Sequence, residues 1–148
     1  MSTKPQTAQS PTEELHINEL TRLILQCAMR VHTALGPGLL ESAYHACLRH
    51  ELIKNGFLVE SEVPLSVEYD GVKLDVGYRL DLVVNRRVIL ELKCVESITN
   101  VHVAQVLSYL KLSCMEVGLL LNFNVKHLRD GLKRLINRPI SESLNSSE

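Results

Sequence analysis

Two short apolar segments, Tyr78-Arg79-Leu80-Asp81-Leu82-Val83-Val84 and Val88-Ile89-Leu90-Glu91-Leu92-Lys93, are separated only by Asn85-Arg86-Arg87. Branched and aliphatic residues dominate both segments and a polar trio interrupts them, which predicts two β-strands joined by a tight turn. Side chains alternate faces along a strand. Tyr78, Leu80, Leu82 and Val84 are therefore expected on one face, with Arg79, Asp81 and Val83 on the other. In the second segment Val88, Leu90 and Leu92 lie opposite Ile89, Glu91 and Lys93. The turn decides what meets what. With all three residues of Asn85-Arg86-Arg87 in the loop, Val84 pairs with Val88 and Asp81 stands across from Glu91, their Cβ atoms about 4.5–5.5 Å apart. With two, the acids face opposite sides and only a bulge rescues the pairing. Like charges that close are destabilising unless a cation lies between them, and carboxylate and water oxygens suit Mg²⁺ or Mn²⁺. Lys93, two residues after Glu91 on the same face, points its ammonium at the same spot. That is the outline of a metal-dependent hydrolytic site. Alternating charge on a half-exposed strand also explains these residues, so the reading depends on what else converges there.

Elsewhere Ile17, Leu20, Leu23, Ile24, Cys27, Ala28, Val31 and Leu35 recur at helical spacing, and Gly36-Pro37-Gly38 ends that helix. A second helix is expected over 39–55, with Gly56 just past its end. Strand-like stretches follow over 58–63, 65–69 and 72–76, the last after an Asp70-Gly71 turn. Beyond the acid-bearing strands, the pattern predicts an amphipathic helix over 100–112 and a strand buried on both faces over 117–123. Leu128, Leu132, Leu135 and Ile136 mark a last helix. The expected fold class is α/β: a central mixed β-sheet flanked by helices, with the acid-bearing strands near its centre. Residues 1–12 and 140–148 are polar and read as disordered tails around one domain over 13–139.

A chain of 148 residues with 45% apolar and 22% charged residues can build a core without staples and reads as soluble and globular. Its net charge of −1 argues against a tight, sequence-independent grip on long nucleic acid. Trp is absent and aromatics make up 4%, so stacking on nucleobases cannot be a large contribution. The charge is uneven, however. Lys126, Arg129, Lys133, Arg134 and Arg138 stand against only Asp130, which reads either as a solvated helix face or as a phosphate-binding stripe. Cys27, Cys47, Cys94 and Cys114 form no CxxC and lie in apolar segments, so buried free thiols in a reducing cytosol are expected. No charged-then-apolar leader opens the chain, and no apolar run reaches about 18 residues. A cytoplasmic protein without a membrane segment is expected.

Further residues bear on the acid pair. Glu41 opens the second helix in Gly38-Leu39-Leu40-Glu41-Ser42-Ala43-Tyr44. It serves either the helix dipole or, where that face meets the sheet, as a third carboxylate for a metal. Tyr44 lies three residues on, along the same face. Gln105 and Tyr109 project from one face of the helix that follows Lys93. A Gln beside a packed face wants partners for both ends of its amide. Those partners are Lys93, a metal-bound water or a phosphate oxygen, unless the amide is simply satisfied at the helix edge. His32, His45, His50 and His102 show no ligand spacing and read as structural, with His45 near Glu41.

Gly38-x-x-Glu41-x-x-Tyr44 resembles the motif of the GxxExxY proteins, a branch of the PD-(D/E)XK nuclease superfamily. The resemblance runs from about Ile17 to Arg138 and includes Gly77-Tyr78-Arg79-Leu80-Asp81, Glu91-Leu92-Lys93, Gln105-Val106-Leu107-Ser108-Tyr109 and Leu121-Asn122-Phe123-Asn124. Each motif alone is weak; their order and spacing together are specific. Gln105-x-x-x-Tyr109 is also similar to the RecB-type nucleases of that superfamily, although this chain lacks the clustered cysteines of their iron–sulfur members. Leu80 stands where the superfamily name expects Pro. The resemblance implies a restriction-endonuclease-like core with Glu41, Asp81 and Glu91 as acidic ligands, Lys93 as catalytic lysine, and Gln105 and Tyr109 as its supporting helix motif.

These readings lead to a Mg²⁺- or Mn²⁺-dependent nuclease acting on DNA in preference to RNA. Asp81, Glu91 and the Leu92 carbonyl, joined by Glu41, are expected to hold the metal, and a homodimer is left open. The alternative is a nucleic-acid-binding or regulatory module that keeps the fold and does not cut.

Overall fold

A computed structural model describes residues 15–138; the expected tails over 1–12 and 140–148 lie outside the described residues. Helix α1 spans Ile17–Leu35, its N-terminus capped by the His16 side chain, which accepts the Asn18 N–H. Helix α2 spans Glu41–Lys54. Strands β1 (Val59–Tyr69), β2 (Val72–Val84) and β3 (Val88–Lys93) follow, then helix α3 (Asn100–Ser113), strand β4 (Val117–Asn122) and strand β5 (Leu132–Ile136). The five strands form one sheet in sequence order, with β3 at its centre. Only β3 and β4 run parallel, and α3 is their crossover.

Apolar residues on the two sides of the sheet form two cores. One packs Leu82, Val84, Leu90 and Leu92 with α1 and α2 residues such as Leu20, Ile24 and Leu48. The other packs Leu80, Val83, Ile89 and Leu120 with Val106, Tyr109 and Leu110 of α3. The result is the expected mixed sheet flanked by helices. Among the described residues, no helix is long and apolar enough to cross a membrane.

Several local expectations change. The stretches 58–63 and 65–69 are one strand through Pro64, and 72–76 joins the first acid-bearing strand through Gly77. Proline is tolerated because β1 is an edge strand and one of its sides lacks a ladder. At Gly77, three β2 residues, Asp75 to Gly77, face the single Ser66 of β1. Gly77 has φ 91°, which suits glycine, and Asp75 Oδ1 accepts its N–H at 3.0 Å.

The alternation of faces also breaks. Val59 packs on the α1/α2 side and Val63 on the α3 side, as Val84 and Leu80 do across from them. Glu62, with φ 52°, lies at the break in β1, and Asp81 lies at the break in β2. Tyr78 and Leu80 therefore do not share a face with Leu82 and Val84.

The expected last helix is a single 3₁₀ turn, Leu128–Gly131, followed by β5. Residues 126–138 consequently form no cationic helix face. The cysteine expectation holds in part: all four are free, but only Cys27 is buried, while Cys47 and Cys114 are exposed.

Candidate active site

The site is built on the turn between β2 and β3. Asn85 and Arg86 both have positive φ, 52° and 54°, and the Arg87 N–H closes the turn on the Val84 carbonyl at 3.0 Å. Arg87 is the additional residue that sets the parity, because the ladder resumes with Val84 opposite Val88, Val83 opposite Ile89 and Leu82 opposite Leu90.

Beyond Leu82 and Leu90 the backbone ladder gives way to side chains. The Asp81 N–H donates to Glu91 Oε2 at 2.8 Å, and the Leu92 N–H donates to Asp81 Oδ2 at 2.9 Å. Each carboxylate thus plugs the neighbouring strand and fixes the other acid, so Asp81 and Glu91 meet as the turn length predicts. Among the described residues, Asp81 Oδ1 and Glu91 Oε1 accept no hydrogen bond.

Lys93 lies one step further along β3. Its Nζ donates to Gln105 Oε1 of α3 at 3.5 Å. Asn122, 1% exposed, braces the chain just beyond it. The Asn122 amide accepts from the Val95 N–H at 3.1 Å and donates to the Val95 carbonyl at 2.9 Å. The Phe123 N–H donates to the Lys93 carbonyl at 2.9 Å. This role of Asn122 is absent from the sequence reading, where the residue figures only within a motif.

Glu41 is the first residue of α2 and stands at the rim. Tyr44 sets its place: the hydroxyl donates to the Gly36 carbonyl and accepts the Leu39 N–H at 3.1 Å, and the ring stacks on Phe123 at 4.6 Å. Tyr44, 0% exposed, therefore clamps the loop that launches α2. Glu41, Ser42, His45, Glu62 and Asp81 line a cavity of about 200 Å³. Larger cavities lie elsewhere; the one of about 550 Å³, lined by Lys126, His127 and Arg129, borders the end of α1.

Three of these cavity residues, Ser42, His45 and Glu62, have no functional role in the sequence reading. Glu62 stands in β1 between the pairs Ser61–Leu82 and Val63–Leu80, opposite Asp81. Counting back from the Asp70-Gly71 turn places Glu60 there instead; the two extra β2 residues near Gly77 shift the register. His45 Nε2 is 3.0 Å from the Asp81 carbonyl. A carbonyl only accepts, so Nε2 carries the proton there. The sequence reading places His45 near Glu41 but gives it only a structural role.

The electrostatics follow from burial. Glu91 is 4% exposed; burial first, and then the Asp81 charge, push its pKa up to about 8. Burial also raises Asp81, with Glu62 adding to it and the Leu92 N–H opposing it. Partial burial and the Asp81 charge raise Glu41, opposed by Lys93 and His45. Tyr109 lies further along α3, its hydroxyl raised by burial and then by Glu91, its ring tilted against Tyr78 at 5.7 Å.

Among the described residues, no three His, Cys, Asp or Glu side chains are gathered closely enough to hold an ion by themselves. The donor set nevertheless fits a hard divalent cation. A buried and a half-buried carboxylate that repel each other, each with an unengaged oxygen, are what such an ion stabilises.

No curated protein sequence matches the chain. The crystal structure of SSO0001 aligns over 84% of this chain and 80% of that one, at 19% identity and a TM-score of 0.45, a likeness too distant to inform function. A profile of the PD-(D/E)XK nuclease superfamily matches residues 18–135. That span takes in the Glu41 helix, both carboxylate strands, Lys93 and the Gln105 helix around one sheet. The chain belongs to the PD-(D/E)XK nuclease superfamily.

Proposed function

We propose that this protein is a Mg²⁺- or Mn²⁺-dependent phosphodiester hydrolase of the GxxExxY branch, acting on DNA in preference to RNA. The observation that carries this reading is the reciprocal plugging of Asp81 and Glu91 into each other's strands, which holds two raised carboxylates together beside Lys93. A fold that needed only stability would not keep this repulsion. Asp81, Glu91 and the Leu92 carbonyl would hold the ion, with Glu41 completing the set from α2. When bound, it would activate a water and polarise the scissile phosphate.

Lys93 orients the attacking water and stabilises charge developing on the phosphoryl oxygens. Gln105 accepts from Lys93 and so limits its ammonium to one direction. Tyr109, which lines a cavity together with Gln105, would support this pair from the same helix. Lys126 and Arg129, which line a cavity with His127, supply cations for flanking phosphates of the substrate.

The test is a cleavage screen over single-stranded, duplex and branched DNA and over RNA with Mn²⁺, using wild type, Asp81→Ala and Lys93→Ala. Wild type is expected to cut at least one substrate, and both variants to lose cutting while keeping their circular dichroism. Activity that survives both substitutions rejects the mechanism. Binding without cleavage by wild type favours the non-cutting module.

A further inference from the structure

Helix α3 and the β1–β2 hairpin border another cavity, of about 370 Å³. Tyr78 and Tyr109 line it together with Val101, Leu112 and Gln105. The two rings are inclined at 58° with centroids 5.7 Å apart. Gln105 also accepts from Lys93 Nζ at 3.5 Å, so this cavity and the candidate active site share a residue. Tyr109 is 6% exposed, whereas Tyr78 is 42% and Val101 75% exposed, leaving one aromatic ring and one aliphatic flank open to an incoming group. The chain has only four tyrosines, and two of them meet here. The shortage of aromatics that argues against stacking along the whole surface makes this one aromatic slot distinctive.

We propose that the slot binds a nucleobase next to the scissile phosphate, with Tyr78 stacking on it, and that the preferred substrate is therefore single-stranded or locally unpaired. This proposal rests on the nuclease reading above. The cavity is of the size that admits a flat heterocycle, and aromatic stacking accepts any base. Gln105 gives its oxygen to Lys93 and keeps its amide N–H groups for a base edge. The shared Gln105 sets the base beside the phosphate that Lys93 faces. A base inside a duplex is stacked on its neighbours and cannot enter without being pulled out.

The test measures kcat and KM with Mn²⁺ on single-stranded oligonucleotides carrying one abasic nucleotide, moved stepwise past the cut. Tyr78→Ala is expected to raise KM by about tenfold or more with kcat unchanged, while Tyr78→Phe behaves as wild type. In wild type, one abasic position raises KM to the same extent, and in Tyr78→Ala that position adds nothing. Unchanged KM in Tyr78→Ala, or equal abasic penalties in both proteins, overturns the slot and leaves the nuclease reading standing. Sedimentation showing a dimer that Val101→Asp dissociates, with KM unaltered by Tyr78→Ala, gives the face to a second copy and also overturns it. A wild type that cuts nothing overturns both readings.

Discussion

Replacing Glu91 by Gln removes one buried negative charge and keeps an oxygen able to accept the Asp81 N–H, now bonded at 2.8 Å. Glu91 has its pKa raised from an ordinary 4.5 to about 8 by burial and then by Asp81. A carboxyl raised on folding holds its proton more tightly in the folded state. Its stabilising contribution is therefore complete below about pH 4.5 and is lost as pH climbs to about 8. At about 1.36 kcal/mol per unit, the loss is at most roughly 5 kcal/mol, and about half of that where Asp81 shares the shift. For a domain of this size the metal-free wild type should lose roughly 5–15 °C in Tm between about pH 5 and about pH 8.5. Glu91→Gln should stay level relative to it and exceed it at the alkaline end. Millimolar Mn²⁺ should raise the wild type there and leave the variant unmoved. Thermal melts across the pH range decide the matter. A wild-type Tm that does not fall, or parallel declines in both proteins, refutes the argument from burial and repulsion.

Gly131→Ala would set a Cβ 2.3 Å from the Asn122 carbonyl oxygen and 3.1 Å from the Asn122 Cβ, and backbone cannot yield that far. Urea denaturation should show a loss of roughly 3 kcal/mol or more. Tyr44→Phe keeps the stacking on Phe123 but leaves the Leu39 N–H and the Gly36 carbonyl without their hydroxyl. A loss of roughly 1–3 kcal/mol is expected in the same assay. Lys126→Ala with Arg129→Ala should flatten the dependence of log Kd on log salt by about one to two in slope. Fluorescence anisotropy over a salt series checks it, and an unchanged slope removes these residues from the substrate path.

The sheet's centre was legible because its signals are local. The α1 periodicity, the apolar run of β4 and the parity of the Asn85-Arg86-Arg87 turn depend on near neighbours alone, and the turn brings Asp81 to Glu91 as expected. The last element was misread for a physical reason. Leu132 and Leu135 are three apart, and in β5 they fall on opposite faces, Leu132 packing toward α1 and α2 and Leu135 toward α3. A strand apolar on both sides can imitate helical spacing. Glu62 escaped notice because its place opposite Asp81 depends on the irregularity opposite Ser66, which a count from the Asp70-Gly71 turn cannot register. Asn122 looked like the end of a buried strand; its bracing of the chain after Lys93 depends on the crossover that brings Val95 beside it.

Calorimetric titration with Mn²⁺ of wild type, Asp81→Asn and Glu91→Gln addresses the pair of carboxylates most directly. The account predicts a saturable heat for the wild type, lost or weakened by at least about tenfold in each variant, a change of about 1.4 kcal/mol or more. Identical isotherms for the three proteins would mean that the Asp81–Glu91 pair is not a metal site, and the proposed chemistry would fall with it.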